Sequence, residues 1–167
     1  EKMDDHECYL CARMRRGYLY NKAQELGCNK IALGHHFDDV IETVLMGMLF
    51  AGKMQTMMPK LKSTSHPGME LIRPFYFVKE DDVISWMNYN NLEFIKCACK
   101  ITERQAKRSQ EGGKTSKRAE TKELIKMLRK KYENSDINIF NSTQNVNLET
   151  ILSYKKDGKI VNFLDEY

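Results

Sequence analysis

The stretch at residues 30–43 constrains the fold of this chain more than any other segment. Residues 30–33 form a short apolar run, which is typical of a buried strand in a parallel sheet. Gly34 then allows a sharp turn, and Asp38 and Asp39 follow where a carboxylate can cap the first turn of an amphipathic helix. Open α/β sheets bind ligands where the carboxyl end of a strand leads into a helix, so the sequence predicts an α/β fold with a site at this turn.

Length and composition limit the classes of protein to consider. With 167 residues, of which 41% are hydrophobic, the chain can bury one modest core. It contains no run of about 18 apolar residues, the length that a membrane span needs, and no signal peptide opens it, so we expect a cytosolic protein without a membrane partner. The five cysteines are an odd number, and two form a C-x-x-C pair. In a reducing compartment this favours metal or redox chemistry over disulfides.

A pair of cysteines opens the first predicted helix, at residues 8–26. Cys8 and Cys11 are three residues apart and therefore share one face of the helix, near its N-terminus. The positive end of the helix dipole lowers the pKa of a thiol there and favours the thiolate, which binds metals and attacks sulfur. The alternative is two half-buried cysteines without a partner. Cys28 has no partner nearby in sequence and is predicted to be a small core residue.

Positive charge is concentrated in two segments. Three arginines follow the cysteine pair on the same helix, where they form either a solvated face or a phosphate site, because guanidinium donors match phosphate oxygens in pairs. Residues 100–131 carry twelve Lys or Arg against four Glu, a density typical of proteins that bind a nucleic-acid backbone, although a merely solvated surface would also show it. Residues 115–131 are predicted to form an amphipathic helix. The candidate nucleic-acid contacts are Arg13, Arg16, Lys107, Arg108, Lys114, Lys117 and Arg118.

The remaining segments carry weaker signals. Residues 51–68 are rich in lysine, serine and helix breakers and are predicted to form a loop. The other predicted elements are strands at residues 69–72 and 93–96, a helix at residues 81–92, and a packed helix and turn at residues 136–152. Trp86 is expected to serve for packing within its helix, and the tail beyond residue 153 has little signature.

The motif at the central turn is specific enough to suggest a family. Residues 33–43 contain L-G-H-H-x-D-D-x-x-E-T, which resembles the second signature of the PP-loop ATP pyrophosphatase superfamily, in particular the branch of the tRNA 2-thiocytidine synthetases. The likeness continues upstream in C-x-x-C-x-R-x-R-R-G at residues 8–17 and downstream through Ile72-Arg73-Pro74 to Cys97 and Cys99. The S-G-G-x-D-S phosphate loop of that family does not occur in the sequence.

This resemblance implies a fold of the adenine nucleotide alpha hydrolase-like class (HUP, Rossmann-like), which is a parallel sheet flanked by helices. Residues 1–100 would form the C-terminal portion of the PP-loop α/β domain, and residues 101–167 a basic, mostly helical extension. The chain would then be a fragment without the N-terminal phosphate loop. We expect it to bind ATP weakly and to hydrolyse none, because the amides of that loop cradle the phosphates.

The resemblance also implies ATP-dependent tRNA thiolation. Similar proteins adenylate a pyrimidine carbonyl oxygen, with C2 of cytidine as the expected target, release pyrophosphate, and replace the oxygen with sulfur delivered through an iron-sulfur cluster. Asp39 and Asp38 would serve the adenylation step by binding Mg²⁺ or by positioning a base, although both are equally compatible with helix capping alone. Gly34 and His35 would line the ATP, and Arg15 would take part in catalysis.

The cysteines are the implied cluster ligands. Cys8, Cys11 and Cys97 would bind a [4Fe-4S] cluster and leave one iron open, with Cys99 as the alternative third ligand. The implied partners are tRNA, a sulfur donor such as a cysteine desulfurase or sulfide, and, as an open option, a second copy of the chain in a homodimer. Two other interpretations stay open. One is a non-catalytic nucleic-acid-binding module with a structural zinc at four cysteines, and the other is a thiolase that passes sulfur as a cysteine persulfide without a metal.

Overall fold

The computed structural model describes residues 2–94 and 116–165, and in the first helix it describes side chains from Leu10 onward. The elements in chain order are α1 (Lys2–Glu25), β1 (Lys30–Ala32), α2 (Phe37–Ala51), β2 (Lys60–Lys62), β3 (Glu70–Ile72), α3 (Glu80–Tyr89), α4 (Lys117–Lys131), α5 (Ser135–Ser142), a 3-10 turn (Leu148–Thr150), β4 (Ser153–Lys156), β5 (Lys159–Asn162) and a second 3-10 turn (Phe163–Asp165). Across these ranges, no helix has both the length and the apolar character needed to cross a membrane.

A small mixed sheet positions the central turn. β3 is its middle strand, with β1 parallel on one side and β2 antiparallel on the other, so that Ile31 and Leu61 both lie opposite Leu71. The α/β class and the parallel pairing of residues 30–32 agree with the prediction, but the sheet in the described residues is short and mixed. β1 is also less buried than expected, since Lys30 and Ala32 are exposed. Its apolar run lies at an edge, where one side of the strand has no neighbour among the described residues.

Helix α2 is the centre of the hydrophobic core. It begins with a capping box, in which His36 is the N-cap and the Asp39 carboxylate accepts a hydrogen bond from the His36 amide at 3.0 Å. It ends at Gly52, whose φ of 58° is the left-handed geometry that glycine tolerates best. Between these ends Val40, Ile41 and Val44 are fully buried. The predicted capping role therefore belongs to Asp39, and Asp38 makes different contacts.

The C-terminal helices pack directly on α2. The core cluster joins Phe37, Val40, Ile41 and Tyr76 to Ile125 of α4 and Phe140 of α5. α4 agrees with the predicted amphipathic helix, and its N-cap Ser116 accepts a hydrogen bond from the Ala119 amide at 3.2 Å. The proposed domain boundary at residue 100 lies outside the described residues and stays a prediction.

Several local predictions were wrong. α1 begins at Lys2, six residues before the predicted start of the first helix at residue 8. Trp86 is 59% exposed and no residue of α3 is buried, so the tryptophan does not serve for packing in the described structure. Cys28 is exposed rather than in the core.

Two strand regions were not predicted, and one predicted strand lies partly outside the described residues. The loop predicted at residues 51–68 contains strand β2, and the tail forms the antiparallel hairpin of β4 and β5. Of the strand predicted at residues 93–96, the first two residues have no regular structure and the other two lie outside the described residues.

Candidate active site

A cavity lies between α1 and the carboxyl ends of β1 and β3, and we call it the α1–β1 cavity. Its volume is about 280 Å³. Arg15 and Arg16 of α1 line it together with Gly34 and His35 of the turn after β1, so it unites four residues predicted from the sequence. The remaining lining residues are Ala12, Leu19, Tyr20, Ile31, Leu33 and Leu71. No carboxylate is among the residues that line it, so two guanidiniums beside an apolar floor favour an anionic ligand with a flat or apolar part.

His35 is held by Arg73, a residue to which the sequence analysis assigned no role. The Nε atom of Arg73 donates a hydrogen bond to Nδ1 of His35 at 3.3 Å, and the same guanidinium donates to the carbonyl oxygen of Met58. Burial lowers the pKa of His35 below its ordinary value, and the charge of Arg73 lowers it further, so the imidazole is neutral at physiological pH. The available signal was the Ile72-Arg73-Pro74 motif, which lies directly after β3.

Asp39 faces a second cavity, of about 310 Å³, between α2 and α4. Arg118 donates from Nε to Oε2 of Glu42 at 2.6 Å, and its other end forms an ion pair with Oδ1 of Asp39. Burial raises the pKa of Glu42, and the charge of Arg118 opposes this shift. Asp39 therefore does not line the α1–β1 cavity with His35, and its carboxylate is shared between Arg118 and the cap of α2.

Asp38 joins three helices instead of opening into either cavity. Its carboxylate accepts the Glu80 amide at 2.8 Å and the Nη1 donor of Arg129 at 2.6 Å. Arg129 also donates from Nε to Asp136 at 3.0 Å. Burial by itself would raise the pKa of Asp38, but these donors outweigh it and the net shift is downward. These contacts are structural, and the catalytic assignment of Asp38 stays a prediction.

The cysteine pair lies on α1, which forms one side of the α1–β1 cavity. Cys8 and Cys11 are one turn apart in α1, Cys11 is exposed, and the next residue, Ala12, lines the cavity. The side chain of Cys8 lies outside the described residues, as do Cys97 and Cys99 in full. Within the described ranges, no three His, Cys, Asp or Glu side chains converge in a way that could hold a metal ion. An exposed thiol with a second cysteine one turn away fits two ligands of a cluster.

The predicted nucleic-acid contacts have diverse surroundings. Arg13 and Arg16 are exposed on α1, and Arg16 also lines the α1–β1 cavity. Lys117 is exposed, with Nζ 5.1 Å from the centroid of the Phe50 ring, and Arg118 is engaged with Asp39 and Glu42. Lys107, Arg108 and Lys114 lie outside the described residues.

Comparisons with known proteins found a family model and several relatives that match this chain. A PP-loop domain model matches residues 9–108. A tRNA-cytidine(32) 2-sulfurtransferase of Verminephrobacter eiseniae is 37% identical over 156 residues, which are 93% of this chain and 45% of that protein. Another, from Syntrophotalea carbinolica, is 47% identical over 92 residues, or 55% of this chain and 35% of that protein.

The fold is also found in a solved structure. The U34-tRNA thiolase NcsA from Methanococcus maripaludis with its [4Fe-4S] cluster aligns with a TM-score of 0.60 and 24% identity, over 86% of this chain and 46% of that one. The chain spans less than half the length of the curated relatives that it matches. The family model covers more than half of the chain, and the chain therefore belongs to the PP-loop domain family.

Proposed function

We propose that the protein takes part in ATP-dependent tRNA thiolation in the cytosol, with C2 of a cytidine as the acceptor of sulfur. The observation that carries this proposal is the α1–β1 cavity, in which Arg15 and Arg16 of α1 lie with His35 of the turn after β1, and which Ala12, the residue after the exposed Cys11, also lines. Relatives with the name tRNA-cytidine(32) 2-sulfurtransferase and the neighbour NcsA, a tRNA thiolase, support the same class of reaction.

The cavity suits a nucleotide. The guanidiniums of Arg15 and Arg16 would neutralise phosphate oxygens, and the apolar floor of Ile31, Leu33 and Leu71 offers a surface for a base. ATP is required because a carbonyl oxygen leaves readily only after it has been adenylated. The cations would stabilise the negative charge that develops on phosphate in that step.

Asp39 and Glu42 fit a magnesium ion by donor type, because Mg²⁺ prefers carboxylate oxygens. In the described structure Arg118 neutralises both carboxylates, so a metal would have to compete with its guanidinium. Bound Mg²⁺ would supply charge neutralisation for the phosphates. Asp39 would hold it, and Glu42 is a second oxygen donor one turn further along α2.

Cys8, Cys11 and Cys97 would hold a [4Fe-4S] cluster, as the exposure of Cys11 and its one-turn spacing from Cys8 allow. When bound, the cluster would supply an open iron position for the transferable sulfur, which a cysteine desulfurase or sulfide would provide. Arg13 and the basic residues around α4 would contact the tRNA backbone.

Single substitutions test the cluster ligands in the complete gene product. Cys8→Ser, Cys11→Ser and Cys97→Ser should each abolish the visible absorbance that appears after anaerobic reconstitution with iron and sulfide. Cys99→Ser and the control Cys28→Ser, at an exposed cysteine outside the motifs, should retain it. Loss in Cys99→Ser would indicate a closed site of four cysteines. A colourless protein with zinc would indicate the nucleic-acid-binding module with a structural zinc. A colourless protein without metal would indicate the thiolase that passes sulfur as a cysteine persulfide.

Asp39→Asn tests the adenylation step. The substitution should abolish 2-thiocytidine formation, measured by mass spectrometry of tRNA nucleosides, while the protein stays folded with a loss of no more than about 1 kcal/mol from the altered cap. Asp81→Asn, at an exposed aspartate in the first turn of α3, is the matched control and should retain activity. If Asp39 only caps α2, its substitution would cost about 1 kcal/mol of stability and leave thiolation intact, which would remove Asp39 from the mechanism.

A further inference from the structure

The contact between Arg73 and His35 determines which imidazole nitrogen carries the proton. Nδ1 of His35 faces Nε of Arg73 at 3.3 Å. A guanidinium has only donors, so Nδ1 must be the acceptor and cannot carry a proton. A neutral imidazole has a single N–H, which must therefore lie on Nε2.

Arg73 is well placed to impose this choice because its own position is fixed. Its guanidinium donates to the carbonyl oxygen of Met58, and its backbone amide donates to the carbonyl oxygen of Pro59 at 2.9 Å. The following turn closes when the Tyr76 amide donates to the Arg73 carbonyl oxygen at 3.2 Å. The guanidinium is thus anchored to the segment before β2 and the turn after β3 while it points at His35.

The Nε2 side of His35 is open. The described residues provide no hydrogen-bond partner for Nε2, and the imidazole lines the α1–β1 cavity. The charged groups that face the ring are Arg73, Arg118 and Arg16, which disfavour an imidazolium, and Asp39, which favours it. Three cations outnumber one carboxylate, so the neutral form that can donate from Nε2 prevails.

We propose that Arg73 is a positioning residue that fixes His35 as the Nε2–H tautomer, so that His35 donates a hydrogen bond to an acceptor atom of an anionic ligand in the α1–β1 cavity. The identity of that ligand as a nucleotide rests on the proposed function. The assignment of the tautomer does not rest on the proposed function, because it follows from the contact with Arg73.

The tautomer can be measured by NMR on the ¹⁵N-histidine-labelled protein, in which two-bond ¹H–¹⁵N correlations separate protonated from unprotonated ring nitrogens. The His35 signals are assigned by their loss in His35→Gln. We expect Nε2 to be protonated and Nδ1 unprotonated at neutral pH, and Arg73→Met to populate the other tautomer and to raise the pKa of His35. His66, which stacks on Tyr20 with ring centroids 4.7 Å apart, reports whether the variant remains folded. A proton on Nδ1 of wild-type His35 would overturn the proposal.

The donor role is tested in the complete gene product, with ATP and Mg²⁺ as the probe. The amide of a glutamine lies near the position of Nε2 and can donate there, whereas an asparagine amide lies near Nδ1. The affinity of His35→Gln for ATP should therefore stay within about threefold of the wild-type affinity, and His35→Asn should bind ATP at least tenfold more weakly. Addition of ATP should also shift the NMR signal of Nε2 in the wild-type protein. Equal weakening in both variants, or no shift, would overturn the donor role. If wild type binds no ATP while the tautomer is as expected, the nucleotide part of the proposed function fails and the positioning role of Arg73 stands.

Discussion

The ion-pair network around Arg129 should be the main polar contribution to the docking of the C-terminal helices. Arg129 of α4 connects Asp38 of α2, at 2.6 Å, with Asp136 of α5, at 3.0 Å. Lys79 adds a third contact, with its Nζ 3.3 Å from Asp136. Asp38 and Asp136 are only 6% and 4% exposed, so removal of the arginine would leave two buried carboxylates with fewer donors.

The expected magnitude follows from this burial. Removal of one partner of a buried ion pair costs about 3–5 kcal/mol, because the remaining charge loses its compensation. The side chain of Arg129 is 28% exposed, and Asp38 keeps the Glu80 amide as a donor, so Arg129→Met should lie near the lower end, at about 3 kcal/mol. For a domain of this size that corresponds to a fall of about 6–12 °C in Tm. Methionine retains most of the apolar stem, so the loss reports mainly on the charge contacts.

Chemical denaturation followed by circular dichroism measures this change. Lys126→Met is the matched control, because Lys126 is exposed on the same helix and its ion pair among the described residues is with Glu123 in the preceding turn. We expect no measurable change in its unfolding midpoint. Asp38→Asn combined with Arg129→Met should cost less than the sum of the two single changes, since both remove one shared contact. An unfolding free energy of Arg129→Met equal to that of Lys126→Met would refute the role of the network.

Two further predictions concern glycines and acid. Gly47→Ala should destabilise the protein by about 1–3 kcal/mol, because the added Cβ would lie 2.7 Å from the Lys53 carbonyl oxygen. In Gly17→Ala, in α1, the added Cβ meets nothing within 4 Å, so this substitution should stabilise the protein by up to about 1 kcal/mol. Chemical denaturation measures the sign of both changes in unfolding free energy. The pKa values of Asp38 and Asp136 are lowered in the fold, so their contribution to stability is present above about pH 4 and is lost as the pH falls through the folded values. Asp38→Asn should therefore show a flatter fall in unfolding free energy between about pH 4 and pH 2 than wild type.

Features that depend on neighbouring residues were predicted well from the sequence. The strand, glycine and helix around residues 30–51 follow from local periodicity and capping chemistry, and the same signals located α4 to within two residues. The tail hairpin carried a local signal that was missed. Asp157 and Gly158 have φ values of 50° and 80°, the geometry of the tight turns that an Asp-Gly pair favours between antiparallel strands.

Features that depend on distant residues were not predictable in this way. Periodicity identified an apolar side on α3, but only the packing shows that nothing covers Trp86 in the described structure. Arg118 looked like one cation in a basic segment, yet it pairs with Asp39, 79 residues away. The sequence did not predict that Arg15 and Arg16 would line one cavity with Gly34, because spacing alone does not specify how α1 lies against β1.

The two neighbouring aspartates differ in how firmly they are held. Arg118 and Arg129 lie about three turns apart on α4, so they project from similar sides of that helix. Both reach the start of α2, where Arg118 pairs with Asp39 and Arg129 pairs with Asp38. The contact of Arg129 with Asp38 is largely buried, and its loss would leave an uncompensated charge. Arg118 is 54% exposed, so its contact with Asp39 is more open to water than the contact of Arg129 with Asp38. Of the two aspartates, Asp39 is therefore the one that we propose for binding a metal ion or substrate, while Asp38 and Arg129 keep α4 in place.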